Sequence, residues 1–394
     1  MRDFHLILPT FAPDFSGVCS ALFELGGTVV IHDAGGCTGT FTGYDEPRWF
    51  DQQACVFTSN LDDVEAVFGT DEILLNKIFS SYDYLNSNFI ALLGSPSPMV
   101  LGTDYKALAR IIEKKTGKKT LAFDTKGTEF YDRGVRMALL ALAQNFLPAK
   151  RDPAQIIPRS VNLLGATPLD VTNRHNVEVV RGLLEGKGFQ VLSVWAMGSG
   201  LEEIGASLRA QCNIALTTPA LETARYLEER YGMPWLPGAF SGQAGAGEFL
   251  LQLQALLEGR SFLPYSPPSP KGRKTLVIGD QLVANGIRQS LELDLGLGGV
   301  DVLTFFSGDA AFQRPGDACS IDEDQLLERI RSGSYDLVIG DGMYRLFDKP
   351  VPCCRYVEIP HVAVSSRLGW SDPACPFGRS FLELLSPGPE VLCG

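Results

Sequence analysis

The sequence has no run of basic residues longer than the pairs Lys114-Lys115 and Lys118-Lys119, and its 34 Lys and Arg are outnumbered by 46 Asp and Glu, a formal charge of −12. Affinity for nucleic-acid phosphates comes from clustered cations, so backbone-driven nucleic-acid binding is excluded. No stretch of ~18 residues is uninterruptedly apolar, which argues against a membrane-spanning helix. The start, Met1-Arg2-Asp3-Phe4-His5, carries an acid and lacks the apolar core and small-residue cleavage site of a secretory leader, so a cytoplasmic location is expected. A Gly-Lys-Ser/Thr phosphate loop is also missing, and ATP hydrolysis by this chain is not expected. Nine cysteines (19, 37, 55, 212, 319, 353, 354, 375 and 393) form an odd set in a chain without an export signal, which reads poorly as a disulfide framework.

What is present is globular. A hydrophobic content of 45%, a charged content of 20% and 23 Phe with 11 Tyr and 4 Trp exclude wholesale disorder in the 394 residues. At roughly 150 residues per domain, that length holds about two to three domains. Short β-rich apolar runs alternate with stretches of helical spacing, the pattern of βα units in parallel sheets.

Three groups separate. The first has strands expected at Phe4–Leu8, Thr28–His32, Phe89–Leu93 and Thr120–Phe123, with helices near 61–79, 104–115 and 129–146. The second has strands at Val161–Leu164, Gln190–Val194, Asn213–Leu216 and Met233–Leu236, with helices near 176–186, 201–210, 220–231 and 245–258. The third has strands at Val300–Phe306, Thr275–Ile278, Asp336–Ile339 and Tyr356–Ile359, with helices near 281–293 and 322–332. Proline-bearing stretches at 147–153 and 263–270 divide the groups, because Pro fixes φ and removes a backbone donor. The expectation is an α/β protein of three Rossmann-like domains with mainly parallel sheets, 1–155, 156–269 and 270–394. Gly165, Gly279 and Gly340 close similar strands, a generic likeness that does not argue for a duplicated site.

The densest cluster of unusual residues is Val18-Cys19-Ser20-Ala21 followed by Ile31-His32-Asp33-Ala34-Gly35-Gly36-Cys37-Thr38-Gly39. Cys37 follows a strand, 18 residues after Cys19, in a loop whose glycines admit something bulky to the main chain. A thiolate there can bind soft metal or act as a nucleophile. On spacing alone, the competing reading is a buried helix thiol at Cys19 and a small loop hydrophobe at Cys37.

At these residues the chain resembles the component 1 superfamily of nitrogenase, the catalytic partner of an ATP-dependent iron-sulfur reductase. The family's early Cys and its strand ending in His-Gly-Pro-x-Gly-Cys are matched by Cys19 and by His32-Asp33-Ala34-Gly35-Gly36-Cys37. Phe57–Leu61, Val67–Leu74 and Leu101-Gly102-Thr103-Asp104 are similar to its Thr-Ser-Asp, Val-Phe-Gly-Gly and Ile-Gly-Asp-Asp segments; Asn162–Gly165, Tyr226–Pro234 and Asp336–Gly340 follow in order. The resemblance spans nearly the whole chain.

It implies that Cys19 and Cys37 ligate an iron-sulfur cluster at an interface between homologous subunits, with His32, Asp33 and Gly36 beside them. The chain departs at the third ligand, where Ser95-Pro96-Ser97-Pro98 stands in place of the family's Cys-Pro. Two cysteines from each of two chains give four thiolates, the complement of a [4Fe–4S] cluster, so one cluster on a homodimer axis is expected. A larger cluster with other ligands, and a paralogous partner subunit, are the alternatives. Asp33 replaces a Gly of the family motif. Its carboxylate either adds negative charge beside the cluster or satisfies local backbone donors.

The remaining candidates carry less. Cys55 and Cys212 read as core thiols, adjacent Cys353 and Cys354 point to opposite faces of a strand, and Cys375 and Cys393 lie in Pro/Gly-rich sequence. Neither the mid-chain Cys nor the late His that holds the iron-molybdenum cofactor of a nitrogenase is evident, which disfavours dinitrogen as substrate. His361 only faintly matches that late His and is a weak candidate acid/base group in a cavity between the domains; His5 and His175 show no pattern. Ser241–Glu248 opens a helix whose N–H groups suit an anionic substrate, and 217–219 and 124–127 are strand-end loops expected to face the same cavity.

The resemblance therefore implies an oxidoreductase subunit that receives electrons from a P-loop, ATP-dependent iron-sulfur reductase and reduces a small molecule or a tetrapyrrole, with or without a further metallocofactor. A scaffold for metallocluster assembly is the second reading, and a sugar- or metabolite-binding α/β protein without iron the third.

Overall fold

Runs of β-branched and aliphatic residues form three parallel sheets of four short strands each. The computed structural model describes residues 6–68, 71–82, 87–261, 265–267, 269, 274–333, 335–347 and 355–386. The first sheet contains β1 (Thr28–Ile31), β2 (Cys55–Thr58), β3 (Ile90–Leu93) and β4 (Thr120–Phe123), ordered β2-β1-β3-β4. Its helices are α1 (Asp14–Leu22), α2 (Gly36–Thr40), α3 (Asp63–Phe68), α4 (Asp71–Tyr82), α5 (Pro96–Leu101), α6 (Tyr105–Thr116) and α7 (Tyr131–Phe146).

The second sheet contains β5 (Ile157–Leu164), β6 (Gln190–Val194), β7 (Ala210–Ala215) and β8 (Trp235–Pro237), ordered β6-β5-β7-β8. It is accompanied by α8 (Pro168–Val171), α9 (Arg174–Glu185), α10 (Leu201–Gly205), α11 (Leu221–Tyr231) and α12 (Ala244–Leu257). The third contains β9 (Thr275–Ile278), β10 (Val300–Leu303), β11 (Leu337–Gly340) and β12 (Arg355–Glu358), ordered β10-β9-β11-β12, with α13 (Gln281–Leu295), α14 (Glu323–Gly333), α15 (Val362–Ser365) and α16 (Gly378–Leu384). The α/β class with parallel sheets is thus the observed one.

Each sheet is covered on both faces, so a central strand is buried throughout, as parallel sheets require. Along β1, Val29 and Ile31 join the cluster that contains Cys19 and the apolar face of α7, while Val30 joins Leu108 and Ile112 of α6 on the other face. Local signals set the helix ends: the Asp104 carboxylate accepts from the Ala107 N–H at 3.0 Å, and Gly117 at φ 68° stops α6.

The sheets lie on either side of the expected seams near 155 and 270. Four details differ from the sequence pattern. Of the expected strand Phe4–Leu8, residues 4 and 5 lie outside the described residues and residues 6–8 are not a strand; their N–H groups donate to the carboxylate of Glu323, which ties this segment to α14. The strand expected over 300–306 ends at Leu303, the one over 233–236 is realised as Trp235–Pro237, and the helix over 61–79 is realised as α3 and α4. Late in the described residues, Gly378 of α16 packs on Val179 and Leu183 of α9, which sets α16 against the second sheet's layer.

One contact governs the first unit. Helices α1 and α7 cross so closely that a Cβ on Gly17 would lie 2.0 Å from the Tyr131 carbonyl oxygen, and one on Gly134 would lie 1.8 Å from that of Asp14. Glycine is required at both positions because backbone occupies the space a side chain would need.

Candidate functional site

Helix α1 places Cys19 with no exposed surface between Ser16 and Ser20, which are neighbours on one helix face. The Ser16 hydroxyl donates to Asp45 Oδ2 at 2.6 Å and the Ser20 hydroxyl to Glu46 Oε2 at 3.0 Å. Burial, joined by the Glu46 and Asp45 charges, pushes the Cys19 thiol well above its usual range. Burial, with a smaller contribution from the Glu46 charge, also lifts the Asp45 carboxyl to about 6, against the hydrogen bond from Ser16. Arg48 balances this negative charge. Its guanidinium binds both Glu46 oxygens, at 2.7 and 2.8 Å, and reaches Glu24 at 3.2 Å, the Ser20 carbonyl at 2.6 Å and the Ala196 carbonyl of the second unit at 2.6 Å.

Cys37 sits half-buried at the start of α2, beyond the C-terminal end of β1, and packs against the cluster that contains Cys19. Gly35 at φ 115° lets the chain turn there, and added Cβ atoms on Gly35, Gly36 and Gly39 would meet nothing within 4 Å. The turn therefore presents open main chain beside a thiol. Asp33 Oδ2 accepts from the Gly35 N–H at 2.8 Å and the Thr38 N–H at 3.2 Å, so its carboxylate holds the turn. Burial, with Asp33 and Asp14 adding repulsion, pushes the Cys37 thiol up to about 12.

His32 and Ser95 lie behind this turn. The alternation of β1 sends the His32 ring to the face opposite Cys19, where Nδ1 is 2.7 Å from Ser59 Oγ and the ring stands edge-on to Tyr105. Burial lowers the His32 pKa to about 4. Ser95, at the position of the family's third cysteine, is buried and donates to the His32 carbonyl at 2.8 Å, so its hydroxyl is already used.

The other candidates sort clearly. Cys55 is exposed rather than buried, because β2 is the edge strand of its sheet. Cys212 is a core thiol in β7, and Cys375 is packed in the second core, its thiol 3.8 Å from the Phe377 carbonyl. Cys353, Cys354, Cys393 and His5 lie outside the described residues. The start of α12 is closed to an anion: the Gln243, Ala244 and Gly245 N–H groups donate to the Asp294 carboxylate at 3.1, 2.7 and 3.2 Å. Likewise 124–127 is used internally, since the Lys126 and Gly127 N–H groups both bind Asp14 at 2.8 Å, and the Thr218 N–H binds Asp280 at 2.9 Å.

His361, at the head of α15, is buried where the three units meet. Its Nε2 is 2.9 Å from the Tyr131 hydroxyl of α7 and 3.4 Å from Asp170 Oδ1 of α8. Burial, with the Asp170 charge second, raises the nearby Asp280 carboxyl to about 7. Asp45, Glu46, Arg48, Tyr131, Asp170 and Asp280 were not singled out by the sequence. The charged cluster Asp45-Glu46-Pro47-Arg48 between aromatics was the one local signal available.

Among the described residues no three His, Cys, Asp or Glu side chains form a metal-holding group, and no helix is long and apolar enough to cross a membrane. Of the two thiols singled out by the sequence, Cys37 lies beyond the C-terminal end of β1 and Cys19 is buried in α1, both against one apolar cluster.

Three four-stranded parallel sheets of one strand order, covered by helices, define a nitrogenase-like α/β fold. A solved structure of nitrogenase Cp1 at pH 6.5 superposes with a TM-score of 0.70 at 14% identity, covering 98% of this chain and 93% of that one, which establishes the fold. The chain belongs to the nitrogenase component 1 type oxidoreductase family, whose profile matches residues 14–268.

Curated relatives are more distant in length. The chain is 25% identical over 224 residues to the nitrogenase iron-molybdenum cofactor biosynthesis protein NifE of Bradyrhizobium diazoefficiens, covering 56% of this chain and 39% of that protein. It is 26% identical over 217 residues to the nitrogenase molybdenum-iron protein alpha chain of Azospirillum brasilense, with shares of 51% and 42%. Over 263 residues it is 22% identical to a light-independent protochlorophyllide reductase subunit of Zygnema circumcarinatum, with shares of 60% and 45%. The chain spans less than half the length of these relatives.

Proposed function

We propose that the chain is an oxidoreductase subunit in which Cys19 and Cys37 hold an iron-sulfur cluster shared with a second subunit, in the first place a second copy of itself. The observation that carries the reading is that Cys37, at a glycine turn beyond β1 that leaves the main chain open beside it, and Cys19, buried in α1, pack against the same apolar cluster. Two chains supply four thiolates, which suits a [4Fe–4S] cluster. The flanking surface is apolar: Tyr44, Phe50 and Leu368 are 57%, 71% and 80% exposed. Phe50 stands edge-on to Trp370, and the Ser366 hydroxyl donates to the Tyr44 carbonyl at 2.7 Å, so these residues form one face. Such a face supports burial against another subunit.

When bound, the cluster supplies one-electron transfer. The chain's own residues set the conditions for it. Both thiols are protonated in the free chain, so loading releases their protons, and because four thiolates outweigh the charge of a [4Fe–4S] core, Asp33, Asp45 and Glu46 would oppose loading. Cys19 has no exposed surface, so loading also requires local opening of the residues packed over α1. Asp33 keeps the turn closed around Cys37 through the Gly35 and Thr38 N–H groups. In this reading the electrons come from an ATP-dependent iron-sulfur reductase docked over the dimer axis, and a small molecule or tetrapyrrole is reduced between the three units.

The test is anaerobic purification, iron analysis and electron paramagnetic resonance. Cys19→Ala and Cys37→Ala should each abolish the signal, and Cys55→Ala should leave it. An iron-free chain after cluster reconstitution, or full iron in Cys37→Ala, rejects the reading. The likeness to a cofactor biosynthesis protein favours one second reading, a scaffold that carries the cluster. Transfer of iron to an acceptor protein, without turnover in the presence of reductase and ATP, would select it.

A further inference from the structure

The cations of this acidic chain are not spread evenly. Six of its 34 Lys and Arg (Lys106, Arg110, Lys114, Lys115, Lys118 and Lys119) fall within residues 105–119, together with one of its 46 Asp and Glu, Glu113. Helix α6 sorts them by face. Tyr105, Leu108 and Ile112 pack with Leu74 and Ile78 of α4 and Leu92 of β3. Lys106, Arg110 and Lys114, spaced four residues apart, therefore form one line on the opposite, exposed face. The sequence hides this line, because three residues separate each cation from the next.

The fold does not neutralise it. Among the described residues Lys106, Arg110 and Lys114 make no ion pair. Arg110 Nε donates to the Lys106 carbonyl at 3.2 Å, so the guanidinium lies back toward the preceding cation. Glu113 is engaged elsewhere: Oε2 accepts from the Thr120 N–H at 3.1 Å and Oε1 pairs with Lys119 at 3.4 Å. Lys115 stands over the Phe79 ring of α4, 3.8 Å from its centroid. Like charges one turn apart destabilise a helix, and Lys106 in the first turn also opposes the helix dipole. A partner's carboxylates would lift both penalties. Ile111, 47% exposed, lies beside the line and offers an apolar contact.

We propose that the outer face of α6 is a docking surface for an acidic, amphipathic helix of a partner protein, with carboxylates at i, i+4 and i+8 opposite Lys106, Arg110 and Lys114 and an apolar side chain against Ile111. The pitch matches, because residues four apart lie about 6 Å from one another on either helix, so a single register aligns all three pairs. A wider anionic surface fits less well. At the head of the line stand Asp104, which caps α6, and Asp71 of α4, whose charge reaches Tyr105. A lipid headgroup plane or a nucleic-acid duplex broad enough to cover the line meets these carboxylates, and the chain's formal charge of −12 repels it beyond them. A single helix lies along the cations below them. Exposed ion pairs of this kind set register and encounter more than affinity. None of this depends on iron.

The test uses the full iron-free chain and a fluorescein-labelled, alanine-based helical peptide with Glu at i, i+4 and i+8 and one Ile between them, read by fluorescence anisotropy. Binding should saturate at one peptide per chain and weaken as NaCl rises from ~20 to ~200 mM, because the Debye length shortens. The same peptide with Gln for Glu should not bind. Lys106→Gln/Arg110→Gln/Lys114→Gln should weaken binding on the order of tenfold. Lys150→Gln/Lys187→Gln/Arg209→Gln, which removes the same charge from exposed positions elsewhere, should not. Gln forms helix about as well as Lys and Arg, so the first variant keeps α6, which circular dichroism verifies. An unweakened first variant, an equal loss in the second, equal binding of the Gln peptide, or tighter binding of phosphatidylserine vesicles or a DNA duplex through the same three cations would overturn the proposal. Cys37→Ala, which tests the iron reading, leaves peptide binding unchanged, so the two readings fail separately.

Discussion

The Cys37 thiol offers a quantitative test of the site's electrostatics, because burial and the Asp33 carboxylate push it up to about 12. At pH 7 an ordinary thiol of pKa ~8.5 is about 3% ionised, whereas a thiol at 12 is ionised roughly 3,000-fold less. The rarer thiolate is also the stronger nucleophile. With a Brønsted coefficient of ~0.4–0.5, the difference restores about 25- to 60-fold. Iodoacetamide should therefore label Cys37 on the order of 100-fold more slowly than a free cysteine peptide. The assay is timed alkylation of the reduced, iron-free chain, read by peptide mass spectrometry. Steric cover slows alkylation too, so the pH profile is the discriminating readout. The Cys37 rate should keep climbing about tenfold per unit above pH 9, where the peptide levels off. Asp33→Asn should accelerate labelling by removing a repulsive charge. A Cys37 rate that levels off near pH 9, or one within about threefold of the peptide, would refute the electrostatic account.

His32 is buried neutral and its pKa falls from 6.5 to about 4. The unfolded chain then binds the extra proton between those values, so stability should fall as pH drops from 6.5 toward 4, by up to about 3 kcal/mol, and His32→Phe should flatten that part of the denaturation profile. Gly134→Ala forces a Cβ to 1.8 Å from a backbone oxygen; urea denaturation should show a loss at or beyond the upper end of the ~1–3 kcal/mol typical of overpacking. Arg48→Met strips the partner from Glu46, which has no exposed surface; thermal and urea unfolding should register about 3–5 kcal/mol, and Arg48→Lys should recover part of it.

Much of the fold was legible because its signals are local. Thr28-Val-Val-Ile31, Leu337-Val-Ile-Gly340 and their counterparts are short runs that only a buried parallel strand accommodates, and Asp104 and Gly117 mark the ends of α6. Cys55 misled, because whether a strand is central or at the edge is decided by pairing order and not by its own residues. The start of α12 misled for a similar reason: Asp294, some fifty residues later, fills the N–H groups that a glycine-rich helix opening advertises. Cys19, Cys37 and Asp33 could be proposed as a candidate site because they cluster in sequence. Tyr131, Asp170 and His361 could not be joined in advance, since 230 residues separate the tyrosine from the histidine it touches.

The crossing of α1 and α7 links Cys19 to the cluster of Tyr131, Asp170 and His361. Gly17 lies two residues before Cys19, and its missing side chain is what allows the Tyr131 carbonyl to approach. The Tyr131 N–H is in turn bound to the Ala12 carbonyl at 2.9 Å, and the Asp14 N–H to the Glu129 carbonyl at the same distance. The helix that carries the buried thiol is thus locked, backbone to backbone, to the residue that orients the His361 ring. A displacement of α1 that exposes Cys19 cannot leave Tyr131 where it is, because close-packed backbone has no slack to absorb a shift. Loading of the thiol pair should therefore be felt at the His361 ring, whose Nε2 touches the Tyr131 hydroxyl, and its ¹⁵N resonances, recorded before and after iron is added, read that coupling. Ring resonances unmoved by full iron loading would show that α1 opens without carrying α7 with it.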